Sequence, residues 1–184
     1  MIDIKYRIIN ENDVSQIATL LNNYLSFGNA NERNLIKLCN SRYTLCAEIN
    51  QKVIGYISSK EVINIEEDLN YNRKFIDAFN MARMNSKKEA IYITHMVVDP
   101  IFRKKGIGNK LLKFILREGH DKQFVAVGWV TPNGWNAKTI FLDNGFEIIS
   151  KEERFWYSTE NVITAYCPYC GEVCTCSAVL SFKG

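Results

Sequence analysis

Apolar residues in the first half of the chain recur with periods that switch between those of helices and strands. Residues 14–25 carry apolar side chains at helical spacing and follow Asn10, a residue type that caps helix starts. Runs rich in β-branched and aromatic residues predict the flanking strands. In chain order, the pattern predicts a strand at 4–9, a helix at 14–25 closed by Gly28, a short helix at 32–39, and a hairpin of strands at 43–49 and 53–63.

The second half of the chain alternates strand and helix patterns. Its clearest strand is an apolar, β-branched run that ends at Asp99-Pro100, and the helix after it has one apolar face and one polar face. In chain order, the predicted elements are a strand at 91–98, a helix at 107–116, a strand at 124–130, a helix at 136–144 capped by Gly145, and strands at 146–149 and 154–157. This order predicts an α/β fold.

Residues 64–89 interrupt the succession of strands. The segment starts with acidic residues and continues with Phe75, Ile76 and Phe79 on a helical stripe. Segments of this length between elements are often lids or binding loops. The alternative is a surface helix that covers the core, and the sequence leaves both open.

Composition limits the function classes. The chain has 184 residues, of which 47% are hydrophobic, so it can bury one sizeable core. Its 23 Lys and Arg residues against 20 Asp and Glu residues give a net charge of +3, too small to indicate nucleic acid as a general partner. No apolar run approaches a membrane span and no signal-like segment follows residues 1–7, so we expect a cytoplasmic protein with no membrane partner.

The turn before the helix at 107–116 carries the clearest candidate chemistry. It reads Arg103-Lys104-Lys105-Gly106-Ile107-Gly108. Its glycines let backbone approach a bulky ligand, and the helix start and three cations favour a polyanion such as pyrophosphate. The spacing fits neither the Walker pattern nor the dinucleotide fingerprint. A solvated basic helix start is the alternative.

Two segments resemble a known enzyme family. Residues 97–112 resemble motif A of the GCN5-related N-acetyltransferase (GNAT) superfamily, whose turn follows Gln/Arg-x-x-Gly-x-Gly/Ala. Residues 136–146 resemble the family's second motif, a helix that ends in Gly-Phe. The resemblance covers residues 1–158 and implies a mixed, mostly antiparallel sheet, splayed at the acyl-CoA site and flanked by helices. It also implies acetyl-CoA as cosubstrate.

The resemblance implies a set of cofactor contacts. Strand residues would pair their backbone with the pantetheine arm, the basic turn would hold the pyrophosphate, and two downstream residues would contact the far part and the thiol end of the cofactor. These candidate cofactor-binding residues are Met96, Val97, Val98, Arg103, Lys104, Lys105, Gly106, Ile107, Gly108, Asn109, Asn136 and Phe141. A backbone amide at Met96 or Val97 would hold the oxyanion.

Catalytic groups are harder to assign. Family bases often occupy the positions of Tyr92 and Thr94, neither of which is a ready base at neutral pH. His95 has a suitable pKa, although strand alternation turns it away from Tyr92 and Thr94. Phe141 stands where the family often has the tyrosine that protonates the leaving thiolate.

Several other residues are weaker candidates. Glu61, Glu66 and Glu67 can act through water if the insertion covers the cleft, although solvated charges are the simpler interpretation. Trp129 is a candidate for lining the acceptor pocket or for core packing.

Four of six cysteines crowd into the last eighteen residues, at Cys167, Cys170, Cys174 and Cys176. Four thiolates form the usual tetrahedral structural zinc site. Because three residues separate the two pairs and an i,i+2 pair on a strand points to opposite faces, the segment must turn tightly. Free thiols and disulfides remain alternatives.

The sequence therefore predicts a GNAT domain at 1–158, with its insertion at 64–89, and a Cys-rich extension at 159–184. The expected activity is acetyl transfer from acetyl-CoA to a primary amine of a small molecule, peptide or protein. The alternatives are transfer of a longer acyl group and an inert acyl-CoA-binding module whose extension binds a partner. A homodimer is left open.

Overall fold

The computed structural model describes residues 3–25, 30–70, 72–156, 167–171 and 174–184. Seven strands are β1 (Lys5–Ile8), β2 (Thr44–Ile49), β3 (Lys52–Glu61), β4 (Ala90–Val98), β5 (Gln123–Val130), β6 (Glu147–Glu152) and β7 (Ser177–Lys183). The α-helices are α1 (Val14–Tyr24), α2 (Glu32–Ile36), α3 (Ile65–Asp68), α4 (Arg73–Arg83), α5 (Ile107–Glu118) and α6 (Lys138–Asp143). The α/β fold class is confirmed, while Gly28, the expected end of α1, lies outside the described residues.

The chain divides into two compact units, and β4 contributes to both. The first comprises the described parts of residues 1–60 and 93–120, and the second those of 61–92 and 121–184. In the first unit the strand order is β1-β2-β3-β4, and in the second it is β4-β5-β7-β6. Among the described residues, no helix is both long and apolar enough to cross a membrane.

The hairpin of β2 and β3 organises the first unit. The strands pair antiparallel up to Ile49↔Lys52, and Asn50 and Gln51 between them have φ of 47° and 65°. Positive φ at both positions is typical of the two-residue turns that suit strand twist. Against this hairpin α1 buries Ile17 and Leu21, so the helix predicted from periodicity covers the core of this unit.

Arg7 links three elements of the first unit through charge. Its guanidinium lies 2.6 Å from Asp13 Oδ2 and 2.5 Å from Glu48 Oε2. Asp13 is 3% exposed and also accepts a 2.8 Å hydrogen bond from the Asn10 amide in a capping box. The hydrogen bond from Arg7 is the main cause that lowers the pKa of Asp13. Asn10 thus caps the 3-10 turn Glu11–Asp13 that leads into α1, rather than α1 itself, and Arg7 joins this cap to the sheet.

Gly55 on β3 lets α5 approach the sheet of the first unit. A Cβ atom at this position would lie 3.1 Å from Ile107 Cγ2 and 3.3 Å from Leu111 Cδ1. Both residues are buried, so neither has free space into which to move. The helix that follows the basic turn is therefore held by direct contact with strand backbone.

We expect Gly55→Val to destabilise the protein by about 1–3 kcal/mol, because overpacking would push α5 from the sheet. Gly55→Ala should cost less, since one methyl group needs shifts of only a few tenths of an ångström. Urea unfolding measures both free energies. Equal stability of the valine variant and the native protein would contradict the packing described here.

The second unit has an unexpected strand order. β7 lies between β5 and β6 and pairs antiparallel with both, from Phe124↔Lys183 to Val130↔Ser177 on one side and from Glu147↔Phe182 to Glu152↔Ala178 on the other. The segment 159–184, expected as an extension, thus supplies a central strand of this unit.

The predicted strand at 154–157 is wrong over its described residues. Residues 153–156 form turns, and Arg154 has a φ of 54°, which is incompatible with a strand. The aromatic residues that suggested a strand serve other contacts. Phe155 stacks on Phe75 with ring centroids 5.1 Å apart, and Trp156 Nε1 donates a 3.1 Å hydrogen bond to the Ser177 carbonyl.

The insertion at 64–89 contains α3 and α4 and is part of the second unit. Phe75, Ile76 and Phe79 of α4 are buried in a core that includes Leu180 and Phe182. In this arrangement the insertion covers the core, which was the alternative to a lid or binding loop. Glu61, Glu66 and Glu67 are exposed, which agrees with their interpretation as solvated charges.

Candidate functional site

A short 3-10 turn, Pro100–Phe102, connects β4 to the basic turn at residues 103–108. Asp99 accepts a 3.0 Å hydrogen bond from the Ile101 amide and is 6% exposed, while its own amide donates to the Ile54 carbonyl at 2.9 Å. Because Asp99 is held by β3 and also caps the turn, the position where the chain leaves β4 is fixed.

Three exposed cations follow in the basic turn. Arg103 Nε donates a 3.0 Å hydrogen bond to the Val98 carbonyl, and its guanidinium lies 5.9 Å from the centroid of the Tyr24 ring. Lys105 Nζ lies 5.3 Å from the centroid of the Phe102 ring. Lys104 has a φ of 59°, a conformation that sharpens the turn. The turn thus presents positive charge on a bent, defined backbone.

Gly106 is the N-cap residue of α5 and has a φ of 76° and a ψ of 4°. Only glycine adopts this left-handed conformation without cost, which explains its place in the predicted motif. Since Gly106 has no side chain, it offers no capping group to the first amides of α5, and the helix dipole leaves them suited to an anion. Gly108 is buried in the first turn, and Asn109 follows it half-buried. The basic turn thus leads into α5 through the left-handed glycine that the motif requires.

β4 carries the predicted catalytic residues. Ile93 and Val97 are buried, whereas Tyr92, Thr94 and Met96 are half-buried, as strand alternation requires. Burial is the cause that raises the pKa of Tyr92 to about 12, so this phenol is fully protonated at neutral pH. Tyr92 therefore cannot serve as a ready base.

His95 forms a polar group with Ser58 and Thr94 in the first unit. Ser58 Oγ is fully buried and lies 2.7 Å from Thr94 Oγ1 and 3.3 Å from His95 Nδ1. Thr94 also donates a 3.1 Å hydrogen bond to the Ser58 carbonyl. Burial lowers the pKa of His95, so its imidazole is neutral at neutral pH. Sequence periodicity could not link Ser58 to this pair because its contacts come from β3.

Asn136 and Phe141 belong to the second unit. Asn136 is exposed at the start of the segment that leads into α6. Phe141 is 4% exposed, and its ring packs against Trp135 at 5.3 Å and Phe146 at 4.9 Å between centroids. Trp135 in turn lies over the backbone of Gly128, where a Cβ atom would come within 2.5 Å of the indole. Phe141 is therefore part of an aromatic cluster.

The four C-terminal cysteines, which we call the thiol cluster, come together in the second unit. The sulfur atoms of Cys167, Cys170, Cys174 and Cys176 all lie within 4.8 Å of one another. Cys176 Sγ is 3.9 Å from Cys167 Sγ and 3.4 Å from Cys170 Sγ. A disulfide needs about 2.05 Å, and all four cysteines are free.

The backbone around the thiol cluster has the turn that its spacing requires. Cys167 and Gly171 exchange backbone hydrogen bonds of 3.1 and 2.8 Å, and Gly171 has a φ of 77°. Residues 174–176 are not part of a strand, because β7 begins at Ser177. Cys174 and Cys176 are thus free of the strand alternation that would point them to opposite faces.

Neighbouring side chains and burial shift the pKa values of two cysteines in the thiol cluster. The Thr175 hydroxyl lies 3.2 Å from Cys170 Sγ, and this hydrogen bond is the main cause that lowers the pKa of Cys170 to about 6. Burial raises the pKa of Cys176, while the Trp129 indole N–H donates a hydrogen bond that opposes the shift. Sequence analysis missed this role of Trp129, since β5 and the thiol cluster are far apart in the chain.

These features define an α/β protein in which a turn with three exposed cations leads into the start of a helix. The sequence profile described as the Acetyltransferase (GNAT) family matches residues 16–142. The chain therefore belongs to the GNAT acetyltransferase family, as its two motifs predicted. No match was found among curated protein sequences.

Solved structures share the fold. Arabidopsis thaliana Naa50, in complex with the bisubstrate analogue CoA-Ac-MVNAL, is 17% identical, with 98% of each chain covered and a TM-score of 0.64. A mosquito arylalkylamine N-acetyltransferase like 5b is 15% identical, with 98% of this chain and 99% of that one covered and a TM-score of 0.69. The ribosomal-protein-S18-alanine N-acetyltransferase from Escherichia coli is 13% identical, with coverages of 98% and 93% and a TM-score of 0.64. At these identities the likeness shows the fold alone.

Proposed function

We propose that the protein is an acetyl-CoA-dependent N-acetyltransferase that acts on a primary amine of a small molecule, peptide or protein. The observation that carries the proposal is the basic turn, in which a left-handed Gly106 starts α5 beside three exposed cations, in a chain of the GNAT family. Pyrophosphate would bind the first amides of α5 and these cations. Asn136 and Phe141 remain cofactor contacts that the family resemblance implies.

In the proposed reaction the amine nitrogen attacks the thioester carbonyl of acetyl-CoA. A C–N bond forms, the C–S bond breaks, the amine loses a proton, and the CoA thiolate gains one. The backbone amide of Met96 or Val97 would hold the developing oxyanion, and positioning would supply most of the acceleration. Because Phe141 cannot donate a proton, another group or water would protonate the thiolate.

Calorimetric titration with acetyl-CoA and CoA at two salt concentrations tests the cofactor site. We expect binding that weakens as salt rises, since exposed cations are screened. A panel of amines with a thiol assay then tests turnover. Absence of binding would overturn the assignment of the basic turn, whereas binding without CoA release on any amine would favour the second candidate function.

That second candidate is an acyl-CoA-binding module with weak or no catalysis, whose Cys-rich segment binds a partner. The packing of Phe141 between Trp135 and Phe146 supports it, because an apolar cluster occupies the position where the family often has an acid. Intact residues at the basic turn favour the enzyme.

His95→Gln is expected to keep turnover within about tenfold of the native protein. Glutamine retains a hydrogen-bonding group for Ser58 Oγ, so a structural histidine should be replaceable. The initial rate of CoA release, measured from pH 6 to 9, checks this expectation. A loss of about a hundredfold or more, with a changed pH profile, would instead make His95 the general base.

We further propose that the thiol cluster holds one Zn²⁺. Zinc–thiolate bonds of about 2.3 Å in a tetrahedron place sulfurs about 3.8 Å apart, close to the 3.4 and 3.9 Å observed. Bound zinc would supply structural cross-linking of four chain positions. A cytoplasmic location, which we also propose, would keep the thiols reduced. Native mass spectrometry of the purified protein, before and after chelation, tests the metal content.

A further inference from the structure

The side chains of β7 do not by themselves fix its register against β5 and β6. A strand with one buried face is fixed by its apolar alternation, because a slip of one residue would expose that face. In β7, however, every residue from Ser177 to Phe182 is buried, on both faces. One face, Ala178, Leu180 and Phe182, lies in the apolar core of the second unit and excludes a one-residue slip, but a two-residue slip keeps the same alternation, so the hydrophobic pattern alone does not fix the register.

The connection that leads into β7 is also long. β6 ends at Glu152 and β7 begins at Ser177, although the two strands are antiparallel neighbours. Tight hairpin turns set the register of the strands they join, and the connection from Glu152 to Ser177 is far longer than such a turn. Closing a connection of this length costs conformational entropy. Something other than turn geometry must therefore fix where β7 starts.

Contacts at the first residues of β7 converge from both neighbouring strands. From the end of β6, the Glu153 carboxylate accepts a hydrogen bond from the Ser177 hydroxyl, and Trp156 donates to the Ser177 carbonyl at 3.1 Å. From β5, Trp129 is the register partner of Ala178, and its indole N–H is a neighbour of the Cys176 thiol. These contacts therefore hold Ser177, the first residue of β7, which directly follows Cys176 of the thiol cluster.

Trp129 also contacts the other half of the thiol cluster. Its ring meets Tyr169 edge-on with centroids 5.4 Å apart, and Tyr169 lies in the turn between Cys167 and Cys170. One side chain of β5 therefore touches a sulfur next to β7 and the cysteine turn before it. Hydrogen bonds to metal-bound ligands orient the ligands and tune metal affinity.

We propose that a thiophilic divalent cation, zinc, bound at the thiol cluster is the clamp that sets β7 in register between β5 and β6, with Trp129 as the positioning residue that ties the clamp to β5. This inference rests on the zinc site proposed above and is independent of acetyl transfer. Metal binding would fix Cys176, and Cys176 would fix Ser177 opposite Val130.

Hydrogen exchange of the full chain, with zinc and after chelation, tests the clamp. With free zinc at about one hundred times its Kd, amides of residues 178–183 should exchange about a hundredfold more slowly than in the metal-free protein. The β2–β3 hairpin serves as the internal reference. Unchanged exchange of β7 in a protein shown by mass to have lost its metal would overturn the clamp while leaving the zinc site intact.

Cobalt substitution tests metal binding at the thiol cluster separately from the effect of the metal on β7. Four thiolates around Co²⁺ give intense sulfur-to-metal charge-transfer bands, which Cys170→Ser should weaken and Cys39→Ser should leave unchanged, because Cys39 lies outside the thiol cluster. Absence of these bands in the native protein would overturn the zinc site and the clamp together.

Trp129→Phe keeps an aromatic ring and removes the N–H donor. We expect its zinc affinity to fall about tenfold or more, with faster exchange in β7, and its cobalt spectrum to shift. Trp135→Phe, also in the second unit, is the matched control and should keep native zinc affinity. Native zinc affinity in Trp129→Phe would overturn the role assigned to Trp129, even where a cysteine variant fails to fold.

Discussion

Replacing Gly106 with valine is expected to weaken acetyl-CoA binding by about tenfold or more while the protein remains folded. A left-handed residue other than glycine costs roughly 1–2 kcal/mol, and tenfold in affinity corresponds to about 1.4 kcal/mol. A Cβ atom at Gly106 meets nothing within 4 Å. The effect therefore comes from the backbone: relief of the unfavourable φ turns the first amides of α5 away from the bound anion. Calorimetric titration with acetyl-CoA measures it.

Gly171→Val is the matched control for this experiment. Gly171 has a φ of 77° against 76° at Gly106, and a Cβ atom there also meets nothing within 4 Å. The two substitutions thus impose the same backbone cost at two different sites. We expect Gly171→Val to weaken zinc binding and retain acetyl-CoA affinity, and Gly106→Val to do the reverse. Equal loss of acetyl-CoA affinity in both variants would indicate general destabilisation and contradict a local role for Gly106.

Replacing Arg7 with leucine is expected to lower the free energy of unfolding by about 2 kcal/mol at neutral pH. This value lies between the small cost of losing an exposed ion pair and the larger cost of leaving buried charges unpaired. The side chain of Arg7 is 34% exposed, but those of Asp13 and Glu48 are only 5% and 11% exposed. Arg73→Leu is the control, since its pair with Asp77 is exposed on both sides and should contribute less than about 0.5 kcal/mol.

The difference in the free energy of unfolding between the native and Arg7→Leu proteins should also depend on pH. The pKa of Asp13 is lowered from its usual 3.8 by the hydrogen bond from Arg7. The ionised Asp13 carboxylate therefore contributes its full stabilisation of the folded protein above pH 3.8. This stabilisation is lost as the pH falls through the lower pKa of Asp13 in the folded state. Urea unfolding from pH 7 to pH 3 should show the two stabilities converging at the acid end. If the difference in unfolding free energy between the two proteins stayed constant from pH 7 to pH 3, the stabilisation by Arg7 would not depend on ionised Asp13.

Elements whose stabilising contacts are local were predictable from the sequence. The apolar stripe of α1, the cap at Asn10 and the strand β4 depend on residues a few positions apart, and periodicity detects them. Gly106 was predictable for the same reason, because a left-handed helix start needs glycine at one position. The thiol cluster was predictable from its close spacing along the chain.

Elements fixed by distant partners were not predictable in this way. The run at 178–182 has a strand-like pattern, but β7 owes its place to β5 and β6, and the serines on its second face give no sign that this face is also buried. The residues at 153–156 have strand-like composition, yet the φ of Arg154 and the contacts of Phe155 with Phe75 produce a turn. Trp129 could not be assigned to the thiol cluster, since its partner Cys176 adjoins a strand whose neighbours were unknown.

The central position of β7 also has a consequence during protein synthesis. β5 and β6 are synthesised before β7, so neither strand can pair with β7 until residues 153–176 have also been translated. At about 5–20 residues per second, this interval lasts seconds, which is long compared with hairpin formation. Open strand edges are templates for pairing with other chains. Until β7 is made and takes its place between them, β5 and β6 therefore lack the partner that keeps their facing edges from pairing with other chains.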